Sequence, residues 1–190
     1  MLDPILLRVA KSAIMCQFDN SYKFDEKSLL EAHPMLVAEG AAFVTLKHKQ
    51  SLRGCIGSII AHRSLYNDIV HNAVAAAFED PRFYPLNESE LSDVEVEVSV
   101  LSKPEILEYE DFNDLLQKVR PDVDGLIINY KGSQGTFLPQ VWEQLKTPRE
   151  FLEHLSMKAG LTPSVYEKHP MIYRYRVDAI EEKFDEIVSL

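Results

Sequence analysis

The run Leu52-Arg53-Gly54-Cys55-Ile56-Gly57 places two glycines inside what its neighbours mark as a strand: apolar residues 43–46 precede it and residues 58–60 follow it. Glycine weakens a strand, so its place there is a bulge or a point where another group approaches the backbone closely. Alternate strand residues share a face. The pattern therefore predicts an internal strand with Arg53, Cys55 and Gly57 on one side and Leu52, Gly54 and Ile56 toward the core. A fold that accepts this run must press something onto one glycine and keep a cation beside a thiol on the other face.

The remaining elements follow from periodicity and punctuation. Asp3-Pro4 opens a helix carrying Leu6, Val9, Ala13 and Cys16 at helical spacing, which predicts Cys16 in the core. A short helix is expected over residues 27–32. Ser64 caps a helix with Leu65, Ile69, Ala73 and Ala76 on one face, ending before Asp80-Pro81. Residues 94–100 alternate Val with polar residues, a strand with one apolar face. Asp111 opens a further helix. Residues 125–130 and 136–138 form a hairpin across Lys131-Gly132. Thr147-Pro148-Arg149-Glu150 is a capping box that starts another helix. Residues 171–177 read as the last main strand, and the pattern of residues 180–188 fits no single element. Hairpins with helices between them predict an α+β fold, a mainly antiparallel sheet flanked by helices, in two ββαβ-like halves.

The chain has 190 residues, a size for one domain over residues 1–190, here read as two lobes with a groove between them. Formal net charge is −10 and the basic residues form no run, so nucleic acid is not an expected partner. No apolar stretch approaches the roughly 20 residues of a membrane span. Two cysteines without paired spacing fit a reducing compartment, and the N-terminus carries no basic segment of a signal peptide. The expected location is the cytoplasm.

The hexapeptide at 52–57 resembles the hallmark of the AMMECR family. Asp80-Pro81-Arg82-Phe83, Val98-Ser99-Val100-Leu101 and Gly135-Thr136-Phe137-Leu138-Pro139-Gln140-Val141-Trp142 resemble it too, over about residues 43–176. The resemblance implies a two-lobed α+β fold. In bacteria, proteins similar to this one are grouped with a Memo-type protein and a radical S-adenosylmethionine (radical SAM) protein in the AmmeMemoRadiSam system. It therefore implies those two as partners in a modification pathway.

The candidate chemistry centres on Cys55, a nucleophile or acid if a neighbouring cation favours its thiolate. Arg53 and Arg82 are expected to bind an anionic small molecule or modified group, with Gly54, Gly57 and Asp80 completing the site. The competing reading is a structural ion pair between Asp80 and an arginine. His48 and His62, in the turns on either side, are the histidines nearest Cys55 in sequence. Glu95 and Glu97 share a polar strand face and read as solvated. No His-x-His or His-Glu-x-x-His spacing supports a metal, and neither a Walker loop nor a dinucleotide fingerprint is present, so no cofactor is expected. An enzyme or substrate-binding component is the first functional reading. A non-catalytic interaction or scaffold module is the second. An RNA-binding module on the bare G-x-x-G is the third, disfavoured by the acidic charge.

Overall fold

The computed structural model describes residues 2–190. In chain order the elements are α1 (Ile5–Phe18), α2 (Glu26–Ala32), β1 (Ala41–His48), β2 (Ser51–Gly57), α3 (Leu65–Phe78), β3 (Val94–Leu101), β4 (Glu105–Ile106), α4 (Phe112–Lys118), β5 (Gly125–Tyr130), β6 (Ser133–Phe137), α5 (Pro148–Lys158), β7 (Met171–Tyr175) and β8 (Val177–Lys183). They form two compact units. One runs to Leu101 and takes back Asp178–Leu190; the other is Ser102–Val177. Each has its own four-stranded sheet and its own apolar core, so the α+β class and its antiparallel hairpins are as the sequence predicts.

The first sheet has the order β2-β1-β3-β8, and β1 is antiparallel to both of its neighbours. Its inner face presents Ala42, Val44, Leu46, Val94, Val96 and Val98 to α1 and α3. This is the period-two pattern made physical: on β3 every second residue is a buried valine until Val100. Ser64 caps α3 as expected, its side chain accepting from the Asn67 amide. Three departures follow. β2 is an edge strand, since only β1 pairs with it. The ambiguous tail supplies the other edge, with the Phe184 amide donating to Val94 O at 2.8 Å. Cys16 lies at the rim of the core, half-buried, with its thiol donating to Tyr22 O at 3.8 Å.

The second sheet has the order β4-β7-β5-β6, all antiparallel. Leu126, Ile128 and Ile172 meet Leu115, Phe151, Leu152 and Leu155 in its core. Trp142 stacks on Phe151 with ring centroids 3.8 Å apart and donates its indole N–H to Asp124 O at 2.8 Å. The caps predicted at Asp111 and Thr147 both form, accepting from the Asp114 and Glu150 amides. β4 has no sequence signal, because two residues are too few to carry a period.

The two ββαβ halves share one plan. Strands β2-β1-β3 and β6-β5-β7 take the same order in their sheets, with α3 and α5 as the connecting helices. Both hairpins turn through two residues of positive φ, Lys49-Gln50 and Lys131-Gly132, the geometry that matches strand twist. The correspondence reaches individual residues. Gly54 faces Leu46 and Gly135 faces Ile128 in the two hairpin ladders. A Cβ on Gly54 would lie 2.0 Å from the Ala76 carbonyl oxygen of α3, and one on Gly135 would lie 2.9 Å from Ala159 Cβ at the end of α5. Each half needs a glycine where its helix crosses its second strand.

Candidate functional site

The close approach of α3 to Gly54 determines what surrounds Cys55. Chain leaving that helix at Glu79 arrives beside the outer edge of β2, where an edge strand has unpaired amides and carbonyls. Asp80 and Arg82 fill them. Asp80 Oδ2 accepts the Cys55 amide at 3.0 Å, and Arg82 Nη2 donates to Cys55 O at 3.1 Å. With both of its backbone groups turned outward, Cys55 forms a non-hydrogen-bonded pair with Thr45 across β1, the pair type in which side chains come closest. The Thr45 hydroxyl accordingly donates to Cys55 Sγ at 3.2 Å.

Asp80 is almost fully buried and Arg82 is about half exposed. Arg82 reaches Asp80 through Nε to Oδ1 at 2.9 Å and Nη2 to Oδ2 at 2.7 Å, and its own amide also donates to Oδ1. The Arg82 hydrogen bonds, helped by the Cys55 and Arg82 amides against the opposing effect of burial, hold the Asp80 carboxyl well below the usual carboxylate range. The same partnership raises the Arg82 guanidinium above its ordinary value. The structural ion pair weighed from the sequence is thus the one that forms, and it uses Arg82.

Arg53 is placed differently from the expectation. The ladder slips between Leu46, which faces Gly54, and Lys47, which faces Leu52, so Arg53 is the unpaired residue of a bulge. The bulge resets the alternation: Leu52, expected in the core, is exposed. Arg53 turns to Glu90, with Nε to Oε1 at 2.9 Å and Nη2 to Oε2 at 3.0 Å, and Nη2 also lies 3.4 Å from Pro85 O. Chiefly through these bonds, Arg53 holds the Glu90 carboxyl below its ordinary range. The cation against Cys55 is therefore Arg82 and not Arg53.

The two glycines offer no open backbone. Gly54 is buried beneath Ala76, and the Phe43 ring covers Gly57, where a Cβ would lie 2.1 Å from Phe43 Cγ. The polar face of β3 is not simply solvated either. Glu97 accepts from Lys47 at 2.9 Å and from the Ser99 hydroxyl at 2.9 Å, while Lys47 also reaches Glu181 at 2.7 Å. Neither neighbouring histidine acts on the thiol: His48 Nε2 lies 3.7 Å from Asp93, and His62 Nδ1 is 3.1 Å from Ile60 O. Among the described residues no group of three or more His, Cys, Asp or Glu side chains is placed to hold a metal ion.

A buried polar hub has little local signature in the sequence. Asp68 is fully buried in α3 and accepts from the Ala42 amide (2.8 Å), the Ser58 hydroxyl (2.7 Å), Arg63 Nε (2.8 Å) and Asn72 Nδ2 (3.1 Å). It ties β1 and the chain leaving β2 to α3. A carboxylate on the apolar face of a helix, one turn before an asparagine, was the signal available.

A family model described as AMMECR1 matches residues 7–180, more of the chain than the motifs alone span. A protein of Methanothermobacter thermautotrophicus is 41% identical over 146 residues, 74% of either chain. One from Thermofilum pendens is 33% identical over 94% of this chain and 88% of its own. The crystal structure of an uncharacterized Pyrococcus horikoshii protein superposes with a TM-score of 0.78 at 30% identity, covering 95% of this chain and 91% of that one. No helix described here is long and apolar enough to cross a membrane. On the extent of the family match and the full-length likeness to its archaeal relatives, the chain belongs to the AMMECR1 family.

Proposed function

We propose that this chain is an enzyme or substrate-binding component that works through Cys55 and acts on an anionic small molecule or modified group. The observation that supports this is the threefold tethering of one residue: amide to Asp80, carbonyl to Arg82 and sulfur to Thr45. A cysteine that only fills space needs no hydroxyl aimed at its sulfur. The Thr45 hydroxyl fixes the sulfur's position at the edge of β2, 3.2 Å away. Arg82 is half exposed, and among the described residues its Nη1 makes no hydrogen bond, which leaves one edge of the guanidinium for a carboxylate or phosphate. Two unpaired cysteines suit work in a reducing cytoplasm.

Timed iodoacetamide treatment of native protein, read by mass spectrometry, tests the reading on both cysteines at once. Cys55 is expected to label faster than Cys16, whose thiol is pushed up first by burial and then by Asp19. Thr45→Val is expected to slow Cys55 and leave Cys16 alone. Equal protection of both cysteines until denaturant is added would sink the thiol reading.

A second reading, an interaction module working with Memo-type and radical SAM proteins, is favoured by exposed apolar residues beside the same edge. Leu52 and Tyr84 are 45% and 88% exposed, and each adjoins a residue of the Arg53–Pro85 contact. In that case Tyr84→Ala with Leu52→Ser should abolish co-purification with such partners while Cys55 labelling stays unchanged.

A further inference from the structure

The unit Ser102–Val177 contains a cavity of about 300 Å³ lined by Ser102, Glu105, Arg120, Arg174, Tyr175 and Arg176. Three guanidinium groups converging on one small cavity repel one another unless something balances them. Arg120 is balanced: it grips the fully buried Asp124 through Nε and Nη2, and its amide donates to Oδ2 at 3.0 Å. Arg174 and Arg176 are not. Within this unit neither has an ion-pair partner within 4.0 Å. Glu105 faces Arg174 in register across the β4–β7 pair, yet the two side chains form no ion pair.

The lining is held in place by backbone. Arg174 lies in β7 and Arg176 at the break between β7 and β8, and both line the cavity. Ser102 fixes the second of them from both directions: its amide donates to Arg176 O at 2.9 Å, and its hydroxyl oxygen accepts the Arg176 amide at 2.9 Å. That leaves the Ser102 hydroxyl proton free to donate. Tyr175 is anchored as well, its ring packed where a Cβ on Gly125 would lie 2.4 Å away and its hydroxyl donating to Phe137 O at 3.0 Å.

We propose that this cavity is an oxyanion site for the phosphoryl group of a small phosphate monoester. Two guanidinium forks without an ion-pair partner in this unit, together with a hydroxyl, suit a group with three accepting oxygens better than a carboxylate with two. Asp124 pairs with Arg120, and Glu105 acts on the same guanidinium, so two carboxylates stand against three guanidinium groups. The lining therefore keeps a positive excess while Glu105 supplies an acceptor for a hydroxyl or ammonium on the ligand. The volume, at the lower end of ligand pockets, restricts the remainder of the molecule to a few atoms. The site lies wholly in one unit and is independent of the role proposed for Cys55.

Calorimetric titration of the full chain with inorganic phosphate and with phenyl phosphate, at fixed ionic strength, tests this, with sodium acetate and chloride as controls. Phosphate and phenyl phosphate are expected to bind and acetate is not. Arg176→Gln, at an exposed position, and Arg174→Gln should each weaken phosphate binding by at least about tenfold, the change a lost charge-assisted hydrogen bond produces. Cys55→Ser should bind phosphate as wild type does. Circular dichroism of Arg176→Gln shows whether its loss is local. Absence of phosphate binding, an acetate or chloride response equal to that of phosphate, or unchanged affinity in a folded Arg176→Gln protein would overturn the assignment.

Discussion

Asp80 reaches the Cys55 amide at 3.0 Å from a position almost wholly out of water, while its partner Arg82 stays half exposed. The asymmetry predicts which substitution costs more. Asp80→Asn frees Arg82 to meet water and should cost about 1–3 kcal/mol, the range for a buried hydrogen bond left poorly made. Arg82→Met strands a buried carboxylate and should cost about 3 kcal/mol or more. Urea denaturation at neutral pH checks both, and equal costs would contradict the burial argument.

The same pair predicts an acid dependence. Asp80 is depressed in the folded state relative to the unfolded chain, chiefly by its Arg82 hydrogen bonds. Its contribution is therefore complete above the unfolded value of about 4 and is lost as pH falls below it toward the folded value. Stability measured from neutral pH downward should fall less steeply below about pH 4 in Asp80→Asn than in wild type. In Arg82→Met the penalty should shrink with acid, because protonation relieves the stranded charge.

Asp68 carries a heavier burden than either. Four donors from separate parts of its unit end on one buried carboxylate, and alanine would remove it. The expected cost of Asp68→Ala is about 3 kcal/mol or more, since the buried Ala42 amide and Asn72 lose their acceptor while Arg63 can turn to water. Thermal unfolding followed by circular dichroism would show it, and a melting temperature near that of wild type would refute it.

Arg53 should matter little to the thiol. Its guanidinium is paired bidentately with Glu90, which cancels most of the charge the sequence offered to Cys55. Arg53→Met should leave the Cys55 alkylation rate within about twofold of wild type, since a neutralised pair exerts a weak field at several ångströms. Arg82→Met should change that rate more. The reverse ranking, measured under one set of labelling conditions, would restore Arg53 as the activating cation.

What could be read from the sequence and what could not divide along physical lines. Caps at Ser64, Asp111 and Thr147 are local events between residues three apart, so the sequence displays them. The apolar alternation of β3 shows its buried face directly. The bulge at Arg53 depends on how β2 registers against β1, and one unpaired residue there reverses the faces assigned to Leu52 and Arg53. The edge position of β2 depends on sheet order, a non-local property. So does the choice of Arg82 over Arg53 as the neighbour of Cys55, which follows from where α3 ends.

The shared plan of the two halves supplies a last prediction, in the glycines Gly54 and Gly135. Both lie on the second strand of a hairpin and under the helix that follows it, but the obstacles differ. At Gly54 an added methyl would meet the Ala76 carbonyl oxygen at 2.0 Å, a backbone atom of α3 that cannot step aside without moving the helix. At Gly135 it would meet Ala159 Cβ at 2.9 Å and the Ala159 backbone N and Cα at 3.0 and 3.1 Å, a milder overlap just past the end of α5. Gly54→Ala should therefore cost about 3 kcal/mol or more, at or beyond the upper end of overpacking penalties, and Gly135→Ala about 1 kcal/mol. Gly132 calibrates the comparison: its φ is +87° and no atom lies within 4 Å, so Gly132→Ala strains only the backbone. Because α3 delivers Asp80 and Arg82 to the edge of β2, Gly54→Ala should also alter Cys55 alkylation, whereas Gly135→Ala should not. Denaturant midpoints and labelling rates for the three variants decide the matter. A Gly54→Ala protein as stable as Gly135→Ala, with unchanged Cys55 labelling, would show that the helix–strand approach does not set the geometry around the cysteine.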